Sequence, residues 1–284
     1  MFSFVHPGRW KMKKALVLYS GGLDSRLVVC MLQEQGYKVE ALYFALPFGC
    51  SCPNCKKIDN LKLTILDVTK EPLLSEYLSI LKKPKYGTGS GINPCIDCKI
   101  FMFKKAKEYA DKHDYDIIAT GEVPGQRPMS QTASAQKKID DEIKFKIIRP
   151  LADAGFHGRS RKKQMALAEK YKIKYPGPGG GCFLCEKEPV KRLKTLLKNN
   201  LITEKTLSLT MIGRHFFINK IWFVVARNEL ESGVIDKFDT ILEGEKGKPT
   251  VYFSNKKGKQ KALELQESYS TGSEDRIKFE ELKL

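Results

Sequence analysis

The feature that most limits how this chain can fold lies at residues 15 to 35. An apolar run, Ala15 to Tyr19, passes through Ser20-Gly21-Gly22-Leu23-Asp24-Ser25 into a helix-like run, Arg26 to Gln35. A strand that turns on paired glycines into a helix gathers free N–H groups and the positive end of the helix dipole at one point. Such a point cradles phosphate oxygens. Ser20 and Ser25 add hydroxyl donors, and the Asp24 carboxylate suits a metal-bound water. The Gly-Lys-Ser/Thr ending of a Walker-type loop is absent, which disfavours kinase and GTPase chemistry. An ordinary Gly-Gly turn is the plain alternative, although six residues and both flanks fit the cradle.

From this start, strand and helix patterns alternate through the first two hundred residues. Strands are expected at Ala15–Tyr19, Val39–Leu46, Leu63–Val68, Asp116–Thr120 and Phe145–Ile148, and helices at Ser25–Gln35, Pro72–Lys82, Asp97–His113 and Ser160–Tyr171. That order implies an α/β fold, a doubly wound parallel sheet with its ligand site beyond the C-terminal strand ends. After Asn200 the pattern becomes a hairpin (Leu207–Ile218 and Ile221–Ala226), a helix (Asn228–Phe238), a strand (Thr250–Ser254), a helix (Gln260–Gln266) and a short strand near Ile277–Phe279. The expected division is an extension at 1–13, the α/β domain at 14–200 and a smaller α+β domain at 201–284. Met12 would itself make a natural start, so residues 1–11 are expected to be poorly ordered.

The 284 residues are 42% hydrophobic, enough for a packed core in more than one domain. No apolar run approaches the ~20 residues that span a bilayer, and Met1 to Lys14 lacks the apolar centre of a signal peptide. A cytoplasmic protein with no membrane partner is expected. The net charge of +17 is large for a protein that handles only a nucleotide and points to nucleic acid. Between Lys137 and Lys174 twelve Lys or Arg face five Asp or Glu. There Arg159, Arg161, Lys162 and Lys163 sit at the start of an expected helix, where cations oppose the dipole and an external anion would relieve the conflict. These four are the RNA-binding candidates, against the alternative of a solvated basic surface. His157 beside them is read as a surface residue.

Seven of the eight cysteines fall into three groups, Cys50/Cys52/Cys55, Cys95/Cys98 and Cys182/Cys185, and Cys30 reads as a small core residue. Without a secretory signal, such close pairs argue for metal or redox chemistry over structural disulfides. Zinc is the ordinary explanation for each group, and for Cys50, Cys52 and Cys55, which follow a strand end, it stands beside persulfide relay and capping of the site. The tract Tyr175 to Gly181, rich in Gly and Pro, forms a mobile-loop candidate leading into Cys182.

Several motifs carry a family resemblance. Ser20 to Ser25 resembles the SGGxDS signature of the PP-loop ATP pyrophosphatases, with their adenine nucleotide α-hydrolase-like fold. Asn93-Pro94-Cys95-Ile96-Asp97-Cys98-Lys99, followed by Phe101 and Phe103, is similar to the NPxxxCN…KF motif of tRNA 2-thiouridylases, whose first catalytic cysteine matches Cys98. Their second lies in Gly-x-Cys-Phe-x-Gly, matched at Cys182 with Cys185 in place of the last glycine. Thr120-Gly121-Glu122, Gly125-Gln126, Ser130-Gln131-Thr132 and Arg149-Pro150-Leu151 resemble the TGE…GQ…SQT run and its continuation in tRNA 4-thiouridine synthetases. The chain thus resembles the tRNA-thiolating branch of the superfamily over roughly residues 14–198. Gly213 to Phe216 and Val224 to Glu229 look similar to the RNA-binding domain of NFACT proteins.

The resemblance implies an ATP- and Mg2+-dependent tRNA sulfurtransferase. Ser20, Gly21, Gly22, Asp24, Ser25, Gly121 and Gln126 would hold the nucleotide, with Gln131 and Arg127 nearby, and Asp24, Cys98 and Cys182 would be catalytic. Sulfur would come from a cysteine desulfurase-derived persulfide or free sulfide. Two delivery routes stay open: a persulfide on Cys182 resolved by Cys98, or a [4Fe–4S] cluster on Cys95, Cys98 and Cys182, which is favoured because Cys95 and Cys185 are superfluous to two-cysteine chemistry. Cys185 stands as a candidate fourth ligand. Two other classes compete. A 7-cyano-7-deazaguanine synthase-like enzyme or amide-forming ligase would use the loop without the charge, and a non-catalytic RNA-binding protein would leave the loop without a purpose.

Overall fold

A computed structural model describes residues 12–49, 61–87, 91–127, 129–177, 182–273, 279 and 283–284. In chain order the elements are β1 (Lys14–Leu18), α1 (Leu23–Glu34), β2 (Lys38–Ala45), β3 (Leu63–Asp67), α2 (Leu73–Lys82), α3 (Cys95–Lys112), β4 (Ile117–Thr120), α4 (Ala133–Ile143), α5 (Pro150–Asp153), α6 (Lys162–Lys170) and α7 (Lys187–Lys198). There follow β5 (Arg214–Ile218), β6 (Ile221–Val225), α8 (Glu229–Ile235), β7 (Ile241–Leu242), β8 (Val251–Phe253) and α9 (Lys259–Ser268).

The described residues pack as two compact units. The first holds β1 to β4 with α1 and α3 to α6; the second holds α2, α7 to α9 and β5 to β8. The second unit takes Thr69–Lys83 as well as the chain from Phe183 onward, whereas the domain boundary expected from sequence is a single one at residue 200. The physical reason lies in α2 and α7. Leu74, Tyr77, Leu78 and Leu81 of α2 and Val190, Leu193, Leu196 and Leu197 of α7 are buried, and the two helices pack together. Each of those eight side chains contributes roughly 2 kcal/mol by leaving water, which ties both helices to one unit.

In the first unit the sheet is wholly parallel, in the order β3-β2-β1-β4. Strand β1 is apolar without alternation because both its faces are covered, and Ala15, Leu16 and Val17 are fully buried. Its core continues into α1, where Leu23, Leu27, Val28 and Leu32 recur at helical spacing and are buried. The chain leaves β1 toward β2 and β3 on one side and returns to β4 on the other. That makes the β1/β4 boundary the topological switch point, where doubly wound sheets hold ligands. Expected strand Phe145–Ile148 is reduced to a single bridge, Ile148 to Ala119. Helix α4 interrupts the expected alternation, and Thr132 caps it by accepting from the Ala135 N–H at 3.1 Å.

In the second unit β5, β6, β8 and β7 form an antiparallel sheet, and α9 packs on it through Ala262 and Leu265. The hairpin turns at Asn219-Lys220, both with positive φ as a tight two-residue turn demands. Residues 207–211, expected as strand, form a 3-10 turn before β5. Inside this unit Trp222 Nε1 donates to His215 Nδ1 at 2.9 Å, and His215 Nε2 lies 2.6 Å from the Ile212 carbonyl. Burial, with help from nearby Arg192 and Arg227, pulls His215 down to about 3, so the ring is neutral at ordinary pH. The expected extension at 1–13 and final strand rest mostly on residues outside the described ones.

Candidate active site

The loop after β1 is built by its own short polar side chains. Ser25 Oγ donates to the Gly22 carbonyl at 2.9 Å, the Gly22 N–H reaches Ser20 Oγ at 3.4 Å, and Arg26 Nε donates to the Gly21 carbonyl at 2.9 Å. Gly21 has a φ of +76°, which a side chain would strain, while Gly22 forms the N-cap of α1 with no side chain occupying the cap. The first amides of α1 therefore keep their donor capacity for an anion.

The loop after β4 leaves beside it, because Leu18 and Thr120 are register partners at the same edge of the sheet. Gly121 is pressed against the first turn of α1: a Cβ there would lie 2.7 Å from the Asp24 carbonyl carbon and 2.8 Å from the Ser25 nitrogen. Two motifs far apart in sequence thus share one wall. Gln126 hydrogen-bonds the Asp24 side chain, and the guanidiniums of Arg161 and Arg127 act on it electrostatically. Burial nevertheless raises the Asp24 pKa above the usual carboxylate value, the two arginines and Gln126 opposing the rise. Asp24 Oδ1 and Arg161 Nε are both buried with no hydrogen-bond partner. Buried groups of that kind normally find one; in this cradle a bound phosphate would accept from Arg161, and a hydrated cation would meet the Asp24 oxygen.

Arg161, one of the RNA-binding candidates of the sequence, also acts on Asp24 through its charge. Arg159, Lys162 and Lys163 are exposed. Gln131 is buried, its side-chain oxygen without a partner, and its carbonyl accepts the Gly125 N–H at 2.7 Å.

The cysteine helix is joined to the β4 loop by a buried ionic network that sequence reasoning missed. Glu122, 3% exposed, accepts from Lys99 Nζ through Oε1 and from Arg149 Nε at 3.1 Å through Oε2. Arg149 continues to Asp140, at 2.8 Å and 3.3 Å. Burial, reinforced by Arg149 and Arg127, pulls Lys99 down to about 7, while the adjacent Cys95 pulls the other way. The available signal was a lone acid within an apolar strand end, which requires a cation once buried. Asp97 fixes the preceding segment, accepting the Lys85 and Tyr86 N–H groups at 2.8 and 3.0 Å.

Cys95 and Cys98 occupy the first turn of α3, one half-buried and the other buried, and Cys182 is exposed. Cys185 is half-buried in the second unit. Among the described residues no three His, Cys, Asp or Glu side chains gather closely enough to hold a metal ion. Cys50, Cys52 and Cys55 lie outside the described residues. No described helix is long and apolar enough to cross a membrane.

Residues 11–192 match the family described as Thiamine biosynthesis protein (ThiI). The chain belongs to this family. That membership bears out the resemblance to the tRNA-thiolating PP-loop branch read from Ser20 to Ser25 and Thr120 to Thr132, and it ends before the NFACT-like stretches. A tRNA-specific 2-thiouridylase MnmA of Pseudomonas savastanoi pv. phaseolicola is 28% identical over 237 residues, 74% of this chain and 62% of that protein. A probable tRNA sulfurtransferase of Methanocaldococcus jannaschii is 30% identical over 146 residues, 49% of this chain and 36% of that protein. A solved 4-thiouridine synthetase–RNA complex with bound ATP aligns with 20% identity and a TM-score of 0.47, covering 69% of this chain and 53% of that one. The chain therefore spans less than two thirds of each of these proteins.

Proposed function

We propose that this protein uses ATP to activate a uridine carbonyl of tRNA and then replaces its oxygen by sulfur. The observation that carries the reading is the cradle at the β1/β4 switch point, where Gly121 abuts the first turn of α1 and Asp24 and Arg161 each bury an unpartnered polar atom. The names of the relatives support tRNA as the substrate, and so does the charge of +17.

In this reading Ser20, Gly21, Gly22 and Ser25 bind the β- and γ-phosphates, and Gln126 orients Asp24. A Mg2+ ion held through Asp24 would supply charge neutralisation as pyrophosphate leaves. The uridine oxygen attacks the α-phosphorus, the bond to the bridging oxygen breaks, and pyrophosphate departs toward the loop amides and Arg161, which stabilise it. A sulfur nucleophile then adds to the activated carbon, and AMP leaves with the former carbonyl oxygen. Gly121 acts by close packing. Arg127 and Gln131 line the approach, and Arg159, Lys162 and Lys163 are offered to RNA phosphates.

For sulfur delivery the donor chemistry of Cys95, Cys98 and Cys182 suits an iron–sulfur cluster, which those three thiolates would hold. No step is routed through it. On the persulfide route the terminal sulfur on Cys182 attacks the carbon, Cys98 then attacks Cys182 Sγ, thiouridine is released, and a thiol reductant resets the disulfide. Products separate this reading from the alternatives. ATP should be converted to AMP and pyrophosphate only with tRNA present, and Asp24→Asn should abolish that conversion while leaving the melting temperature within a few degrees. Pyrophosphate release without tRNA, or unchanged release by Asp24→Asn, would refute it.

A further inference from the structure

Helix α7 carries five basic residues against one acid. Lys187, Lys191, Lys194 and Lys198 recur at spacings of four, three and four, so they form a single stripe along one face, and all four are exposed. The opposite side holds Val190, Leu193, Leu196 and Leu197, all buried. Packing explains the aliphatic stripe and leaves the basic one unexplained. Helix electrostatics does not supply a reason either, because Lys187 and Lys191 lie toward the N-terminal end, where cations are unfavourable.

Four other cations of the same unit pair with acids, while Lys205, Lys220, Lys237, Lys256, Lys257 and Lys259 are scattered without forming a stripe. Lys70 pairs with Glu204, Lys248 with Glu267, Lys261 with Glu264 and Arg227 with Glu231. Among the described residues, none of the four α7 lysines has an acidic partner. About 100° round the helix from Lys191, Arg192 is half-buried, its guanidinium 5.8 Å from the centre of the Phe183 ring, and its Nε is buried without a hydrogen-bond partner. Burial and the nearby Arg227 pull Arg192 down to about 10, a cost that no described acid offsets. A half-exposed planar cation laid on a ring is arranged to meet an oxyanion.

We propose that the exposed lysine face of α7, with Arg192 on its flank, docks the sugar–phosphate backbone of RNA. This rests on the tRNA reading above and extends it to residues outside the expected cluster at 159–163. Twelve helical residues extend about 18 Å, and neighbouring lysines stand about 6 Å apart. One nucleic-acid strand carries a charge roughly every 3.4 Å of axis, so the stripe faces on the order of five phosphates. Contacts of this kind position RNA without reading its sequence. An acidic protein could meet the same charges, but it would leave the regular spacing and the guanidinium on Phe183 without a role.

The test uses the full chain and bulk tRNA, with binding measured across a salt series. Changing Lys187, Lys191, Lys194 and Lys198 together to Gln should lower the salt slope by about two to three and the affinity near 0.1 M salt by roughly a hundred-fold. Arg192→Gln should weaken binding several-fold, and Arg192→Lys should restore part of it. An equal change of charge at the exposed Lys38, Lys104, Lys112 and Lys146 serves as the control and should cost far less. Equal losses in the two four-lysine variants, no loss in the α7 variant, or no tRNA binding by the parent would each overturn the inference. So would a poly-glutamate of matched charge that binds as tightly and responds identically. Thiouridine formation measured on the same preparations keeps the two claims apart. A parent that thiolates tRNA while its α7 variant binds normally sinks only the docking surface. A parent that binds RNA through α7 without thiolating sinks only the proposed activity.

Discussion

Replacing Gly121 by alanine places one methyl group 2.7 Å from the Asp24 carbonyl carbon and 2.8 Å from the Asp24 oxygen and the Ser25 nitrogen. All three are backbone atoms of the first turn of α1, so no side-chain rotation relieves the clash. A carbon contact relaxes at about 3.5 Å, so α1 and the β4 loop must separate by roughly 0.8 Å. Overpacking of this kind costs about 1–3 kcal/mol, a loss of several degrees in melting temperature for a chain of this size. Catalysis should suffer more. Displacing positioned groups by about 1 Å costs on the order of a hundred-fold in rate, because the loop amides, Asp24 and the incoming oxygen lose alignment. The assay is tRNA-dependent pyrophosphate release with a parallel thermal melt. A kcat within two-fold of the parent would refute the claim that this contact sets the cradle, and an unchanged melting temperature as well would refute the packing itself.

Lys99 has a native pKa near 7, below its unfolded value, so its burial penalty is full below pH 7 and is relieved as pH rises toward 10.5. The melting temperature of the parent should therefore gain on that of Lys99→Met between pH 7 and 9; a constant difference would contradict the assignment. His215, held near 3, is the depressed-base case at lower pH: stability is lost as pH falls from 6.5 toward 3, by up to roughly 4 kcal/mol. Trp222 fluorescence in a Trp10→Phe background should report a steeper acid transition for the parent than for His215→Phe, and matching transitions would count against a neutral buried ring. If a cluster is built on Cys95, Cys98 and Cys182, anaerobic reconstitution should give roughly four irons per chain, lost on Ala substitution at any of the three and kept in Cys185→Ala. Stoichiometric zinc without iron, together with sulfur transfer that fails only when Cys98 or Cys182 is replaced, would establish the persulfide route instead.

The parallel sheet and the phosphate loop were legible because their signals are local. The apolar run of β1, paired glycines and the periodic face of α1 each act within a few residues. Gly121 and Gln126 could be singled out by motif, but the reason for Gly121 could not: the contact that excludes a side chain comes from Asp24, nearly a hundred residues earlier. The Lys99–Glu122–Arg149 network escaped for the same reason, since a buried charge is recognised by a partner that only the fold supplies. Arg161 was grouped with Lys162 and Lys163 by composition, and its electrostatic link to Asp24 could not be read from that grouping. Helix α7 was overlooked between the Gly/Pro-rich tract and the change of pattern after Asn200. Its apolar stripe becomes meaningful only with α2 against it.

The central claim is that a uridine oxygen is exchanged for sulfur through an adenylated intermediate. Its most direct test is a single-turnover reaction of tRNA, ATP, Mg2+ and a sulfide or persulfide donor, with AMP, pyrophosphate and thiouridine quantified in the same quench by mass spectrometry. The account predicts the three products in equal amounts, with the displaced uridine oxygen recovered in AMP when the tRNA is 18O-labelled at the target carbonyl. ADP and phosphate as products, or thiouridine formed while the label stays out of AMP, would contradict it.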